Sequence, residues 1–382
     1  MNKVPIDSSS DLNTFPSKNI VEYDCLCIGT SMIISLEACY QASKGRTVLM
    51  VDKDKTFGGA WKTITLNGVE DVENAIHYFL PDKRAVKFLS KFLNFSVEPS
   101  KGKYRYFKPF NLLNVKLPYS SLVGRFFHKL SYSKFEKSFF TNLWRIYLTA
   151  LSVFHERGER SYYTALGCAE MLKKVHTRTS NLGVDIWYQS EIVSIYFNME
   201  GERVFCQVGD KTIIAKSLIL GHGARLPKLK SSKGSLFLKE KFHPRPAFHL
   251  VVEDKMHSKV REVVMNSDPL IKYVHDVTRF SSLRNANREN KKIFVFALHP
   301  DVQNHDALSG QLFAKLKEIK IIGHNSRMVE SLYSDLMLPT IYDEDLYKIK
   351  DYFGDLVNIL RTENFTRGIG YYCERWGKEI EP

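Results

Sequence analysis

The first strong pattern along the chain is a short apolar run, Asp24-Cys25-Leu26-Cys27-Ile28, that stops at Gly29. Residues 32–44 follow with apolar side chains at helical spacing, and Gly45 ends them as a C-cap would. Thr47-Val48-Leu49-Met50-Val51 is a second apolar, β-branched run, and it ends at Asp52. Strand, helix and strand within about 30 residues predict a βαβ unit, whose right-handed crossover makes the two strands parallel.

A second organised block spans about residues 162–223. Residues 165–182 have helical periodicity and Gly183 as a stop, and Val184-Asp185-Ile186-Trp187 then reads as a strand. Short alternating strands are predicted over 192–197, 204–208 and 212–214, with turns at Glu200-Gly201 and Gly209-Asp210. Ser217-Leu218-Ile219-Leu220 is a further buried-type strand, closed by Gly221-His222-Gly223. Residues 81–155 are aromatic and basic and are predicted to be helical. Residues 226–335 mix loops with strands such as 292–298 and the alternating Tyr273-Val274-His275.

Composition adds a sign to this outline. The 382 residues carry 55 Lys+Arg against 42 Asp+Glu, a net charge of +13, and 44% of them are hydrophobic. That is globular composition, too long for one minimal domain. The surplus is regional. Ten basic residues between Lys101 and Arg145 face one acid, Glu136, and ten more between Arg225 and Arg261 face Glu240, Glu253 and Asp254. No apolar run reaches the roughly 18 residues a membrane span needs. The first twenty residues are polar and predict a flexible leader without a signal core. Six cysteines without CxxC spacing make neither a disulfide framework nor a zinc site, which predicts a reducing, cytoplasmic setting. The twelve histidines are scattered, so no metal is expected.

Candidate chemistry starts at the first strand–helix turn, Gly29-Thr30-Ser31-Met32-Ile33-Ile34. A dinucleotide turn uses GxGxxG, for the tight turn, the approach to pyrophosphate and helix–strand packing. Here Gly29 keeps the first position, while Ser31 and Ile34 replace the other two glycines. Asp52 closes the second strand, where a carboxylate accepts hydrogen bonds from a ribose diol. Asp52-Lys53-Asp54-Lys55-Thr56-Phe57-Gly58-Gly59, with Ala60-Trp61 behind it, resembles the acid-to-Gly-Gly extension of flavoproteins in the glutathione-reductase superfamily. More narrowly, the chain is similar to the branch of amine oxidases, UDP-galactopyranose mutases and Rab GDP-dissociation inhibitors. The later block follows that branch's order of helix, Gly183-Val184-Asp185-Ile186 strand, β-meander and closing strand.

The resemblance implies an α/β fold: a discontinuous Rossmann-like FAD-binding domain (21–80, 156–225 and 336–382) with an inserted substrate or cap domain (81–155 and 226–335). It implies FAD, with the pyrophosphate over Gly29, Thr30 and Ser31 and the ribose on Asp52. Lys53, Gly58, Gly59, Ala60 and Trp61 would lie beside them, with the backbone at Ile192 and Val193 and the glycines Gly221 and Gly223. Glu73-Asn74-Ala75-Ile76-His77 resembles the segment that mutases place beside the flavin ring, which makes His77 the candidate catalytic residue. Lys101, Lys103, Arg105 and Tyr273 are the expected substrate contacts. The function implied is an FAD-dependent oxidoreductase or flavin-assisted mutase acting on an anionic small molecule, a nucleotide-sugar among the candidates. The rival is a flavin-free binding protein of the same fold, docking a partner protein or lipidated ligand as Rab GDP-dissociation inhibitors do.

Three readings of the basic, aromatic 101–145 segment stand side by side. It is a solvated helical cap, a funnel for an anionic substrate, or an amphipathic face at 122–140 in peripheral contact with anionic lipid. No recognition motif accompanies the charge, so nucleic acid is not an expected partner.

Overall fold

The computed structural model describes residues 19–74, 89–94, 96–99, 102–107, 115–118, 121–131, 138–155, 162–164, 167–221, 229–231, 234–236, 240–256, 258–266, 268–285, 290–335, 337–341 and 343–360. Residues 1–18 of the expected leader, His77, Lys101, His222 and Gly223 lie outside these residues; the leader's last residue, Ile20, is instead the first of β1.

The predicted βαβ unit is present as β1 (Ile20–Ile28), α1 (Met32–Ser43) and β2 (Val48–Val51). Cys25 and Cys27 point to one face of the sheet and Leu26 and Ile28 to the other, and all four are buried. A parallel strand covered on both faces needs such an unbroken apolar run. A hairpin follows, β3 (Thr63–Leu66) and β4 (Val69–Glu73).

In the stretch expected to be helical, the structure corrects the prediction. It contains β5 (Val97–Pro99), β6 (Lys103–Phe107) and β7 (Val115–Pro118) before α2 (Leu122–Ser131) and α3 (Phe139–His155). The signal was there: Lys103, Arg105 and the tyrosines 104 and 106 alternate with period two, which suits a strand.

After β8 (Tyr162–Thr164) come α4 (Cys168–Asn181), β9 (Asp185–Trp187), β10 (Ile192–Asn198), β11 (Arg203–Val208) and β12 (Lys211–Gly221). The two strands predicted over 212–220 are one. Its first half pairs with β11, and its second half, Leu218–Gly221, pairs in parallel with the last strand, β22 (Val357–Leu360). That long partner also explains why β1 starts at Ile20, ahead of its apolar run: Ile20 to Tyr23 pair with Thr212 to Ala215.

β13 (Leu229–Ser231) and β14 (Gly234–Leu236) extend the first sheet, although they fall in the range expected to form the cap. The order is β14-β13-β10-β11-β12-β1-β2-β9, with β22 on β12. α1 and α4 cover one face through Met32, Ile33, Leu36, Met171 and Val175.

The remaining strands are β15 (Glu240–Pro244), β16 (Ala247–Glu253), β17 (Glu262–Met265), β18 (Ile271–Asp276), β19 (Lys291–Leu298), β20 (Arg327–Ser334) and β21 (Met337–Ile341), with helices α5 (Leu308–Glu318) and α6 (Asp343–Phe353). Seven strands form the second sheet, in the order β20-β16-β19-β18-β17-β6-β7. Leu308, Leu312 and Leu316 of α5 cover one face, against Leu250, Phe294 and Phe296. The opposite face packs Ala247, Val251, Ile293 and Val295 against Leu66, Val69 and Val72 of the β3–β4 hairpin. That contact places the second sheet over the first unit.

Candidate functional site

The turn between β1 and α1 is tied down by one carboxylate. Thr30 is fully buried and donates both its backbone N–H (2.8 Å) and its hydroxyl (2.6 Å) to Asp52 Oδ2. The Asp54 N–H donates to Asp52 Oδ1 at 2.9 Å, and the Gly58 N–H donates to the Thr30 hydroxyl at 3.1 Å. Three of the roughly four acceptor positions of a carboxylate are therefore filled from within the chain. The arrangement locks β1, β2 and the Gly-Gly loop into one unit.

Glycines at this turn follow from backbone conformation and, at two of the three positions, from space. Gly29 sits at φ +90 with open space where a Cβ would be. Gly58, at φ +119, would bring a Cβ to 2.8 Å from Leu172 Cδ2, and Gly59 would bring one to 3.2 Å from Ser31 Cα. Ile34, where a dinucleotide turn has its third glycine, is buried with its tip 3.4 Å from the position of a Gly221 Cβ. The missing glycine on the helix is thus matched by a glycine on the strand. Ser31 is the N-cap of α1 and its side chain makes no capping bond.

These groups fit a dinucleotide diphosphate. A positive-φ glycine, an uncommitted N-cap hydroxyl and the first N–H groups of a helix form an anion cradle. A ribose would find less, because Asp52 keeps about one acceptor position. Lys53 and Ala60 are exposed beside the turn, and Trp61 is buried. At the far side of the meander, the β10–β11 register shifts between Ile192 and Ser194, so Val193 falls outside the ladder and is 58% exposed.

A second cluster lies where the two sheets meet. Register fixes two neighbouring rows on the second sheet's inner face. One runs Lys103–Glu262–His275–Val295–His249, and the other Arg105–Val264–Tyr273–Ala297–Ala247. The predicted contacts Lys103, Arg105 and Tyr273 are therefore brought onto one face. They arrive with company: Lys103 is paired with buried Glu262 at 3.1 Å, and Arg105 is only 5% exposed. This face meets the end of β4. The His249 Nε2–H donates to the Glu73 carbonyl at 3.1 Å, which fixes its tautomer, and Ser334 donates to Asn74 Oδ1 at 3.2 Å.

Glu73 is 1% exposed. The Cys168 N–H donates to its Oε1 at 3.0 Å, at the start of α4. Burial pushes the Glu73 carboxyl up to about 7, against the opposing pull of the Cys168 N–H and thiol and of Arg279. Burial likewise pushes the Cys168 thiol up. Burial and the charges of Arg279, Lys103 and Arg261 hold His275 down at about 3. The sequence pointed to the Glu73 segment and to the His275 strand. It offered no partner for Cys168, which is Glu73, and no reason to single out His249. Both contacts join residues far apart in the chain.

Among the described residues no three His, Cys, Asp or Glu side chains come together as a metal site. A surface hollow of about 650 Å³ is lined by Asp268, His299, Asp301 and His305. Its carboxylate Asp268 is committed to Leu270 and Ile271 N–H groups and to Lys315.

No protein-family model matches the sequence, and no curated protein matches it in sequence. Solved structures do match in fold. Wild-type putrescine oxidase bound to putrescine aligns at TM-score 0.64 and 12% identity, over 94% of this chain and 99% of its own. An oxidoreductase from Methanosarcina mazei aligns at TM-score 0.57 and 13% identity, over 83% of this chain and 88% of its own. Rab GDI from Plasmodium falciparum aligns at TM-score 0.56 and 13% identity, over 94% of this chain and 99% of its own. The chain thus has the mixed α/β fold of amine-oxidase-type dinucleotide-binding proteins.

Proposed function

We propose that this protein is an FAD-dependent oxidoreductase or mutase acting on an anionic small molecule, a nucleotide-sugar among the candidates. The observation that carries the reading is the pairing of two features: a dinucleotide-type turn, and a cationic sheet face laid over the unit that bears it. FAD, when bound, supplies the redox centre. Gly29, Ser31 and the first N–H groups of α1 would hold its diphosphate, Asp52 one ribose hydroxyl, and the backbone at Val193 the adenine side. Lys103, Arg105 and Tyr273 would orient the substrate's anionic group from the sheet above. Even with Glu262 among them, Lys103 and Arg105 leave these rows net positive, which favours an anion. The near-neutral Glu73 carboxyl can hold or release a proton at the junction without a large change in pH.

A second reading, a flavin-free protein that binds a partner protein or lipidated ligand, is favoured by one specific contact. Thr30 already donates twice to one Asp52 oxygen and Asp54 once to the other, which leaves about one acceptor position for a ribose diol. Absorption spectroscopy of the purified protein separates the two. The enzyme reading expects an oxidised-flavin spectrum, as purified or after adding FAD. A colourless protein that takes up no FAD overturns it in favour of the second.

A further inference from the structure

Helix α3 is inside out. Its apolar residues Phe139, Phe140, Leu143, Trp144, Tyr147, Leu148 and Leu151 recur at steps of one and three, which puts them on one face of the helix. All seven are between 40% and 80% exposed. The other side mixes Thr141, Asn142, Arg145 and Thr149 with the smaller apolar set Ile146 and Ala150, all half-buried, and buried Val153. A helix packed on a protein core turns its apolar stripe inward. Here the stripe faces out, and Leu122 and Val123 at the start of α2 add two more exposed apolar side chains. Isolated exposed apolar residues are ordinary; a continuous face is a binding surface.

Charge selects the occupant. Neither α2 nor α3 contains an acid, while both carry cations: Arg125 and Lys129 on α2 and Arg145 on α3. The Lys129 ammonium binds Ser152 at 3.1 Å, joining the two helices. In sequence, the link between them adds Lys134 and Lys137 against Glu136. An apolar face backed by positive charge complements an anionic bilayer surface. Composition agrees, since Trp144 and Tyr147 stack at 5.5 Å within the face and such amphipathic rings favour the membrane–water boundary. With 17 residues, α3 spans about 25 Å. Among the described residues no helix is long and apolar enough to cross a membrane, so α3 would lie in the plane of the interface.

We propose that α2 and α3 form an interfacial anchor that holds this protein on anionic lipid bilayers by the exposed face of α3. Vesicle flotation of the full chain tests this, comparing phosphatidylcholine with phosphatidylcholine containing about one-third phosphatidylglycerol. The expected result is recovery with the anionic vesicles, reduced by high salt. It should fall at least about tenfold in the exposed-surface variant Leu143→Ser/Leu148→Ser. In the unaltered chain, Trp144 emission should shift to the blue on adding anionic vesicles, and the shift should vanish in Trp144→Phe. Two results overturn the proposal. One is the same recovery with neutral and anionic vesicles, or none with either. The other is a dimer in solution that Leu143→Ser/Leu148→Ser dissociates, without vesicle binding, which would assign the face to a second copy of the chain.

Discussion

Thr30 and Asp52 form a closed pair: one residue supplies two donors, the backbone N–H at 2.8 Å and the hydroxyl at 2.6 Å, to a single carboxylate oxygen of the other. On the FAD reading the pair sits where a dinucleotide's ribose and diphosphate would meet, so its removal would test binding as well as structure. Asp52→Ala strands three buried or half-buried donors, on Thr30 and Asp54, and should cost about 3 kcal/mol or more of stability. Thr30→Val removes only the hydroxyl and should cost about 1–3 kcal/mol. Cofactor binding separates them further. Asp52→Ala should weaken FAD uptake, while Thr30→Val, which releases an acceptor position on Asp52, should preserve or strengthen it. Chemical denaturation and FAD titration of both variants check this; equal FAD affinity in Asp52→Ala and the unaltered protein would remove Asp52 from the ribose site.

Gly58 makes the case that the Gly-Gly pair is needed for packing, whatever it does for a ligand. Its φ of +119 is unfavourable for any side chain, and its Cβ would meet Leu172 at 2.8 Å. Gly58→Ala should destabilise by about 1–3 kcal/mol from the backbone alone. Leu172→Ala relieves the contact but not the backbone strain, while adding its own cavity cost. Gly58→Ala should therefore cost less in a Leu172→Ala background than in the unaltered chain, but still a measurable amount. No cost at all in that background, by thermal or denaturant unfolding, would mean that the contact alone sets the penalty.

These two sites also mark what the sequence could reveal. The βαβ unit was legible because burial on both faces demands continuous apolar runs, and the turn residues Gly29, Asp52, Gly58 and Gly59 stand at its ends. β6 was missed because a basic, aromatic composition outweighed a period-two alternation only five residues long. The Glu73–Cys168 and Glu73–His249 contacts were not legible at all. They join residues 95 and 176 positions apart: the start of α4 against the end of β4 makes the first, and the packing of the second sheet on the β3–β4 hairpin makes the second. The pairing of Ile34 with Gly221 is of the same kind: the sequence displays a lost glycine, and the fold displays its compensation.

Glu73 should make stability fall as pH rises. Its carboxyl titrates at about 7 in the folded chain, against a reference of 4.5. Between these values the folded state holds a proton that the unfolded state has lost, so stability is fully present below about 4.5 and decreases through 7. The shift corresponds to about 3 kcal/mol. Glu73→Gln keeps the shape without the titration. Its stability relative to the unaltered protein should improve by about that amount between pH 4.5 and 8. A constant difference across that range would mean that Glu73 is ionised in the folded state.

His275 has the opposite sign. It is held at about 3 in the folded chain, against 6.5 when exposed. Below 6.5 the unfolded state takes up a proton that the folded state refuses, so stability is lost as pH falls from 6.5 toward 3. The full window is worth about 5 kcal/mol. His275→Asn should flatten this acid limb, read from unfolding midpoints at stepped pH. An unchanged acid limb would place the acid sensitivity on other groups.

Lys103 links that titration to the candidate substrate face. It is paired with Glu262 at 3.1 Å, its charge helps to hold His275 neutral, and it shares the face with Arg105. Lys103→Met removes the ammonium paired with the buried Glu262 carboxylate and should cost about 3–5 kcal/mol. In Lys103→Met/Glu262→Gln most of that loss should return, because the two paired buried charges are removed together. The double variant then isolates the functional question. With the pair gone and the fold restored, weaker and less salt-sensitive binding of anionic ligands would assign Lys103 to recognition. Unchanged ligand affinity would leave it as the partner of Glu262 alone, with Arg105 carrying the charge of this face.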